Sequence, residues 1–240
     1  YFFTTSVDSG GPNFSEFKIN FGQQGFQHQP STFTDLANSQ SLDDPSILLP
    51  SDYFNTLLYT GNDSSDRDIT GVGFQPDWLW IKNREGPDWH NLMDAVRGAN
   101  KTLFANEEDG EDTDNTNGHV NSFLADGFNV TAGASGNVNE NNEDYVAWNW
   151  NAGGSTVTNN DGSVTSTIRA SSTSGFSICT WTGTGSNLTV GHGLGVTPKA
   201  YIVKARTGSS GCDWFVYHNE YGATKNLRWN HTSQATDASD

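Results

Sequence analysis

The chain has 240 residues, with 28 acidic against 12 basic side chains and a formal net charge of -16 at pH 7. A field of that sign repels DNA, RNA and anionic bilayers, so neither a nucleic-acid partner nor a charged membrane surface is expected. No run approaches the roughly 18 to 20 apolar residues of a membrane-crossing helix, and no basic segment followed by an apolar run marks a secretory signal, so membrane insertion is not expected.

The remaining bias is strand-forming. The chain holds 26 Gly, 14 Phe, 8 Trp and 1 Met among many Asn, Ser, Thr and Asp, a mixture that favours short strands closed by tight turns. In chain order, Phe17 to Phe21 reads as a strand leading into a Gln-, Pro- and Ser-rich stretch that ends at Leu48-Leu49-Pro50. Strands are then expected at Tyr53 to Tyr59, Trp78 to Lys82, Phe123 to Val130, Tyr145 to Trp150, Ser163 to Ile168, Phe176 to Trp181 and Ala200 to Lys204, mostly flanked by Gly, Asn, Asp or Pro. Helical periodicity is confined to Asp88 to Val96, where Leu92, Met93 and Val96 allow one or two turns. This pattern predicts an all-β fold of tandem antiparallel β-sandwich modules, jelly-roll or lectin-like, with Gly- and Asn-rich turns.

An internal repeat sets the domain plan. Tyr59-Thr60-Gly61 and the segment Ile69 to Lys82 recur 122 positions later as Trp181-Thr182-Gly183 and Gly191 to Lys204. The match continues with small shifts, Trp89 against Trp214 and Gly98 to Leu103 against Gly222 to Leu227. Each unit is expected to be a strand ending in an aromatic-Thr-Gly turn, a Gly-x-Gly corner, and a Pro that starts a buried strand ending in Lys. Residues 1–50 are expected to be the end of a preceding domain plus a linker, 51–151 a first sandwich repeat, and 152–240 a linker strand with the start of a truncated second repeat. The start at Tyr1 and the polar run Thr232 to Asp240 suggest a piece of a longer polypeptide.

Two resemblances carry a biological context. The segments YTG, ITGVGFQPDWLWIKNR, DAVRGANKTL, YVAWNW, GSVTSTIRA, GFSICTWTGTG and VGHGLGVTPKAYIVKAR, spread over residues 59–206, resemble an uncharacterised repeat domain of large tail and structural proteins of marine phages. FKINFGQQGFQ, followed by LLPSDYFNT, resembles the closing strand of a SPRY or lectin-like domain. The first resemblance implies an extracellular, virion-borne structural protein on the tail or capsid surface, such as a tail-fibre or appendage segment that takes part in host-surface attachment. A homo-oligomer, a trimer by analogy with phage fibres, and contacts with other virion proteins are expected from it. A capsid decoration protein and a glycan-binding lectin-like module are the alternatives, with a polysaccharide depolymerase behind them.

The side chains offer few chemical sites. Glu107, Glu108, Asp109, Glu111, Asp112 and Asp114 place six carboxylates within eight residues, a candidate Ca²⁺ loop. The EF-hand register fails there, because Asn117 stands where the obligatory Gly belongs and Phe123 where the bidentate Glu belongs. The bland reading is a solvated acidic loop. Trp78, Trp80, Trp148 and Trp150 fall at i, i+2 spacing, so each pair shares one sheet face, either for packing or as a stacking platform for a host glycan. His192 has Thr70 as its counterpart, which favours a turn role, and Ser155 and Ser186 lack the strand-to-helix context of a nucleophile elbow. No organic cofactor, no zinc site, no disulfide framework from Cys179 and Cys212, and no catalytic residues are expected.

Overall fold

A computed structural model describes residues 49–207 and 211–232, together with Ile47 and the short strand Thr236–Asp237. The expected strand Phe17 to Phe21 and the preceding domain end lie outside the described residues. In chain order the strands are β1 Phe54–Thr60, β2 Arg67–Thr70, β3 Trp78–Asn83, β4 Asn91–Asp94, β5 Leu103–Phe104, β6 His119–Leu124, β7 Gly127–Thr131 and β8 Asp144–Trp150. They continue with β9 Val157–Asn159, β10 Ser166–Ser171, β11 Phe176–Trp181, β12 Ala200–Val203, β13 Phe215–His218, β14 Lys225–Arg228 and β15 Thr236–Asp237. Every ladder between these strands is antiparallel, as a chain of short strands and tight turns requires. The fold is the expected antiparallel β-sandwich.

A five-stranded sheet of order β1-β8-β3-β4-β5 faces a three-stranded sheet of order β2-β7-β6. Strict alternation makes this possible. On β3, Leu79, Ile81 and Asn83 are buried while Trp78, Trp80 and Lys82 point to the other face, and β8 repeats the pattern with Tyr145, Ala147 and Asn149 inside. Leu79, Ile81, Met93, Tyr145 and Ala147 meet Ile69, Val120, Phe128 and Val130 across the sandwich. Tyr59 stacks on Tyr145 with ring centroids 5.0 Å apart. Their hydroxyls donate to the Val138 and Gly136 carbonyls at 2.6 and 2.7 Å, so neither polar tip is left bare in the core. At the β6–β7 turn Gly127 has φ +144, and a Cβ there would stand 2.0 Å from the Ile69 carbonyl oxygen, so the close approach of β2 to β7 needs glycine.

Three local expectations are corrected. Asp88 to Val96 is not helical: Asn91–Asp94 is β4, paired with β3 and β5. Leu92 and Met93 are both buried because both faces of the sheet are covered, Met93 in the sandwich core and Leu92 in a second cluster on the opposite face. Adjacent buried apolar residues therefore imitate a helical stripe. Phe123 to Val130 is not one strand but the β6–β7 hairpin, folded back around Ala125 and Asp126. The strand expected at Ser163 to Ile168 is displaced to Ser166–Ser171.

The repeat is a structural one. Leu79 pairs with Met93 and Ile81 with Asn91 in the β3–β4 ladder, and Tyr201 pairs with Tyr217 and Val203 with Phe215 in the β12–β13 ladder, in the same register. β4–β5 and β13–β14 also agree, Asn91 with Phe104 and Phe215 with Arg228. Individual bonds recur: Ala95 N–H donates to Asp77 O at 2.8 Å and Asn219 N–H to Lys199 O at 2.9 Å. Ala105 N–H donates to His90 O at 2.9 Å and Trp229 N–H to Trp214 O at 3.0 Å. The register thus makes His90, not Trp89, the counterpart of Trp214, a correction of one residue caused by the longer loop between β12 and β13.

Candidate functional site

The outer face of the five-stranded sheet concentrates the aromatic side chains. In the ladder between β3 and β8, Trp78 lies opposite Trp150 and Trp80 opposite Trp148. Their ring centroids are 4.4 and 5.2 Å apart, and Phe54 of β1 adds a ring 4.8 Å from Trp150. Such tilted and edge contacts suit the ring quadrupoles, each contributing about 0.5 to 1.5 kcal/mol beyond burial. All four tryptophans are half-buried.

Residues of the second repeat cover them. Phe176 on β11 lies 5.9 Å from Trp78 and 6.3 Å from Trp150, and Trp229 lies edge-on to Trp80 at 5.2 Å. Trp214, 5.9 Å from Trp229, is buried with Leu92, Leu103 and Ala105, and its indole N–H donates to Phe104 O at 2.9 Å. Trp80 donates its own indole N–H to His90 Nδ1 at 3.2 Å, and burial beside Lys82 holds the His90 imidazole below its ordinary value. The neutral ring is the form that can accept this bond.

The acidic loop does not gather its carboxylates. Glu111 turns inward and accepts from Arg97 at 3.1 Å and from both Arg206 Nε and Nη2 at 2.9 Å. Burial by itself raises the Glu111 value, but the hydrogen bonds of Arg206 and Arg97 outweigh it and hold the carboxyl below its ordinary value. Arg97 also bonds Asp94 and donates to Leu92 O at 3.0 Å. Asp112 and Asp114 accept from the N–H groups two residues on, at 3.0 and 2.9 Å, which makes them turn formers. Glu107 accepts from Asn106 at 2.7 Å, and Asp109 is exposed.

Glu108 stands apart from that loop's other acids. Its carboxylate lies 3.5 Å from His231 Nε2, which also meets Asp213 at 2.8 Å. Asp213 is held low by Asn230, Arg228 and His231 in turn. Glu108, Asp213 and His231 are the group of metal-type donors within mutual reach among the described residues, and they could hold a divalent cation. The loop's main chain also meets the second repeat: Glu111 N–H donates to Arg206 O at 2.8 Å, and Glu107 O accepts from the Lys204 side-chain ammonium at 3.4 Å. Two of its acids, Glu111 and Glu108, therefore act as ties between the repeats.

The other candidates sit in turns. His192 Nδ1 accepts from Leu194 N–H at 3.2 Å, and its carbonyl accepts from Ser177 at 2.5 Å. It lines a wide cleft of about 620 Å³ together with four glycines, Asp161, Val190, Val196, Thr197 and Pro198. Ser155 is at the rim of a smaller hollow beside the Arg169–Asp77 ion pair, and Ser186 N–H donates to Thr184 Oγ1 at 3.4 Å. No disulfide joins Cys179 and Cys212, and burial pushes the Cys179 thiol up. The Arg97–Glu111–Arg206 cluster and the aromatic cap from Phe176, Trp214 and Trp229 were not singled out in the sequence; the repeat offered the only signal, by aligning these segments.

The family model described as Domain of unknown function (DUF7483) matches residues 49–240, and the chain belongs to that family. No curated protein matches the chain, and no solved structure does.

Proposed function

We propose that this member of the DUF7483 family is a non-catalytic structural module of a phage virion, a segment of a tail fibre or similar appendage that works as a homo-trimer among other virion proteins. The observation that carries this reading is the covering of one repeat's aromatic face by the next. Phe176, Trp214 and Trp229 reach the tryptophans of β3 and β8 directly or through one another, so successive units are joined by a continuous apolar seam. A chain of sandwich units held this way resists bending and transmits force, which suits a spacer more than a sugar-binding platform, whose rings would have to stay open. The phage context rests on the resemblance of residues 59–206 to repeats of marine phage tail and structural proteins. Host attachment would then be a property of the assembled appendage.

The test is to raise antibody fragments against the purified chain and locate them on phage particles by cryo-electron microscopy, with the mass of the chain measured by light scattering. Three copies projecting from the tail and a trimeric mass are expected. Label on the head shell would make this a decoration protein, and particles without label would remove the virion reading.

A further inference from the structure

Both repeats share a brace beside the strands that carry the register. His90 N–H donates to Asn106 Oδ1 at 2.8 Å in the first, and Trp214 N–H to Asn230 Oδ1 at 3.0 Å in the second. The residues flanking this brace are Trp89 and Glu107 in the first repeat but Asp213 and His231 in the second. Asp213 precedes β13 and His231 follows β14, its antiparallel neighbour, so the brace seats the two side by side, with Asp213 Oδ1 2.8 Å from His231 Nε2. The Asn230 amide donates to the same Asp213 oxygen at 3.0 Å and Arg228 holds the other at 3.1 Å, which orients the carboxylate from two sides. Glu108 reaches His231 Nε2 from the acidic loop of the first repeat, at 3.5 Å.

One imidazole nitrogen therefore faces two carboxylates brought in from different repeats. A neutral ring has at most one proton to offer there, whereas a divalent ion attracts all three groups at once. The three donor atoms lie within 4.8 Å of one another. A tetrahedral zinc ion with bonds of about 2.0 to 2.2 Å needs its ligand atoms roughly 3.3 to 3.6 Å apart. Glu108 and His231 already stand at that separation, and Asp213 has to draw back by about half an ångström to reach it.

We propose that Glu108, Asp213 and His231 bind one Zn²⁺ ion, which ties the acidic loop of the first repeat to the β13–β14 pair of the second. The imidazole selects zinc over Ca²⁺ and Mg²⁺, hard ions that prefer oxygen ligands throughout. The Asp213 side chain is 11% exposed, that of His231 30% and that of Glu108 48%, so the ion enters from the Glu108 side and water fills its fourth position there. Of the loop's six acids only Glu108 takes part, which separates this site from a calcium loop.

The experiment titrates Zn²⁺ calorimetrically into the whole 240-residue chain after dialysis against a chelator, and into Glu108→Gln, Asp213→Asn and His231→Gln, each with its circular dichroism spectrum compared to the native one. The native chain is expected to take up one ion that millimolar Ca²⁺ does not displace, and each substitution to weaken the affinity by about tenfold or more. The substitutions at the more exposed Glu108 and His231 keep the test available if Asp213→Asn unfolds. Absence of uptake by the native chain overturns the proposal, as does displacement by Ca²⁺ or an affinity that the substitutions leave unchanged. Weakening by His231→Gln but not by Glu108→Gln overturns the tie, because the second repeat would then hold the ion by itself.

Discussion

Glu111 illustrates how a residue that looks like a surface acid becomes structural. Its side chain is 10% exposed and that of Arg97 is 3% exposed, so the pair sits where solvent no longer screens it. Removing the carboxylate leaves a buried guanidinium with Asp94 as its remaining acid, and Glu111→Ala is expected to cost about 3 kcal/mol, read from the urea midpoint. Because the folded state holds Glu111 below its ordinary value of 4.5, its stabilisation is present above that value and is lost as pH falls through the lower folded-state value. Urea titrations from about pH 6 to about pH 3 should show a steeper loss in the native protein than in Glu111→Gln. His90 acts in a different window. Its folded-state value lies below the ordinary 6.5, so the unfolded chain takes up the proton first and stability falls as pH drops below 6.5. Replacing His90 with Asn should flatten that part of the profile; an unchanged slope between about pH 7 and pH 5.5 would show that the Trp80–His90 bond has no such role.

Among the elements, the hairpins carry the tightest constraints. The φ of +144 at Gly127 and the 2.0 Å approach to Ile69 O leave no room for a side chain, so Gly127→Ala must move β7 away from β2. A loss of about 2 to 4 kcal/mol is expected, with the exchange of Ile69 and Phe128 amides rising before the rest of the sandwich opens. The acidic loop is the element whose outcome was least legible. Its charge density suggests a cation loop, but charge density gives no account of which arginines lie nearby. Arg97 and Arg206 are 109 positions apart and converge on Glu111 only because the loop spans both repeats. The strand β4 was unreadable for a related reason: two covered sheet faces erase the alternation that marks a strand.

For residues 49–240 as a whole, the aromatic seam is the contact through which one repeat packs on the other. Trp214 is 6% exposed and anchors both the second cluster and the Trp229 contact to Trp80, so Trp214→Ala should cost about 3 to 5 kcal/mol. If the seam couples the repeats, far-ultraviolet circular dichroism and tryptophan fluorescence will report one coincident unfolding transition, and the substitution will move both together. Two separate transitions, with only the second repeat weakened, would mean that the contact between them is dispensable.

The all-β character, the repeat and the pairing of tryptophans on one sheet face could be read from the residues, because each is a property of local spacing: period two for strands, self-similarity for the repeat. Even the common register of the two ladders was latent in the near-constant displacement between repeats. What covers the tryptophans, which acid meets which arginine, and whether Leu92 and Met93 belong to a helix or a strand depended on contacts between distant segments. Spacing within a segment says which side chains share a face; only the packed chain says what lies against that face.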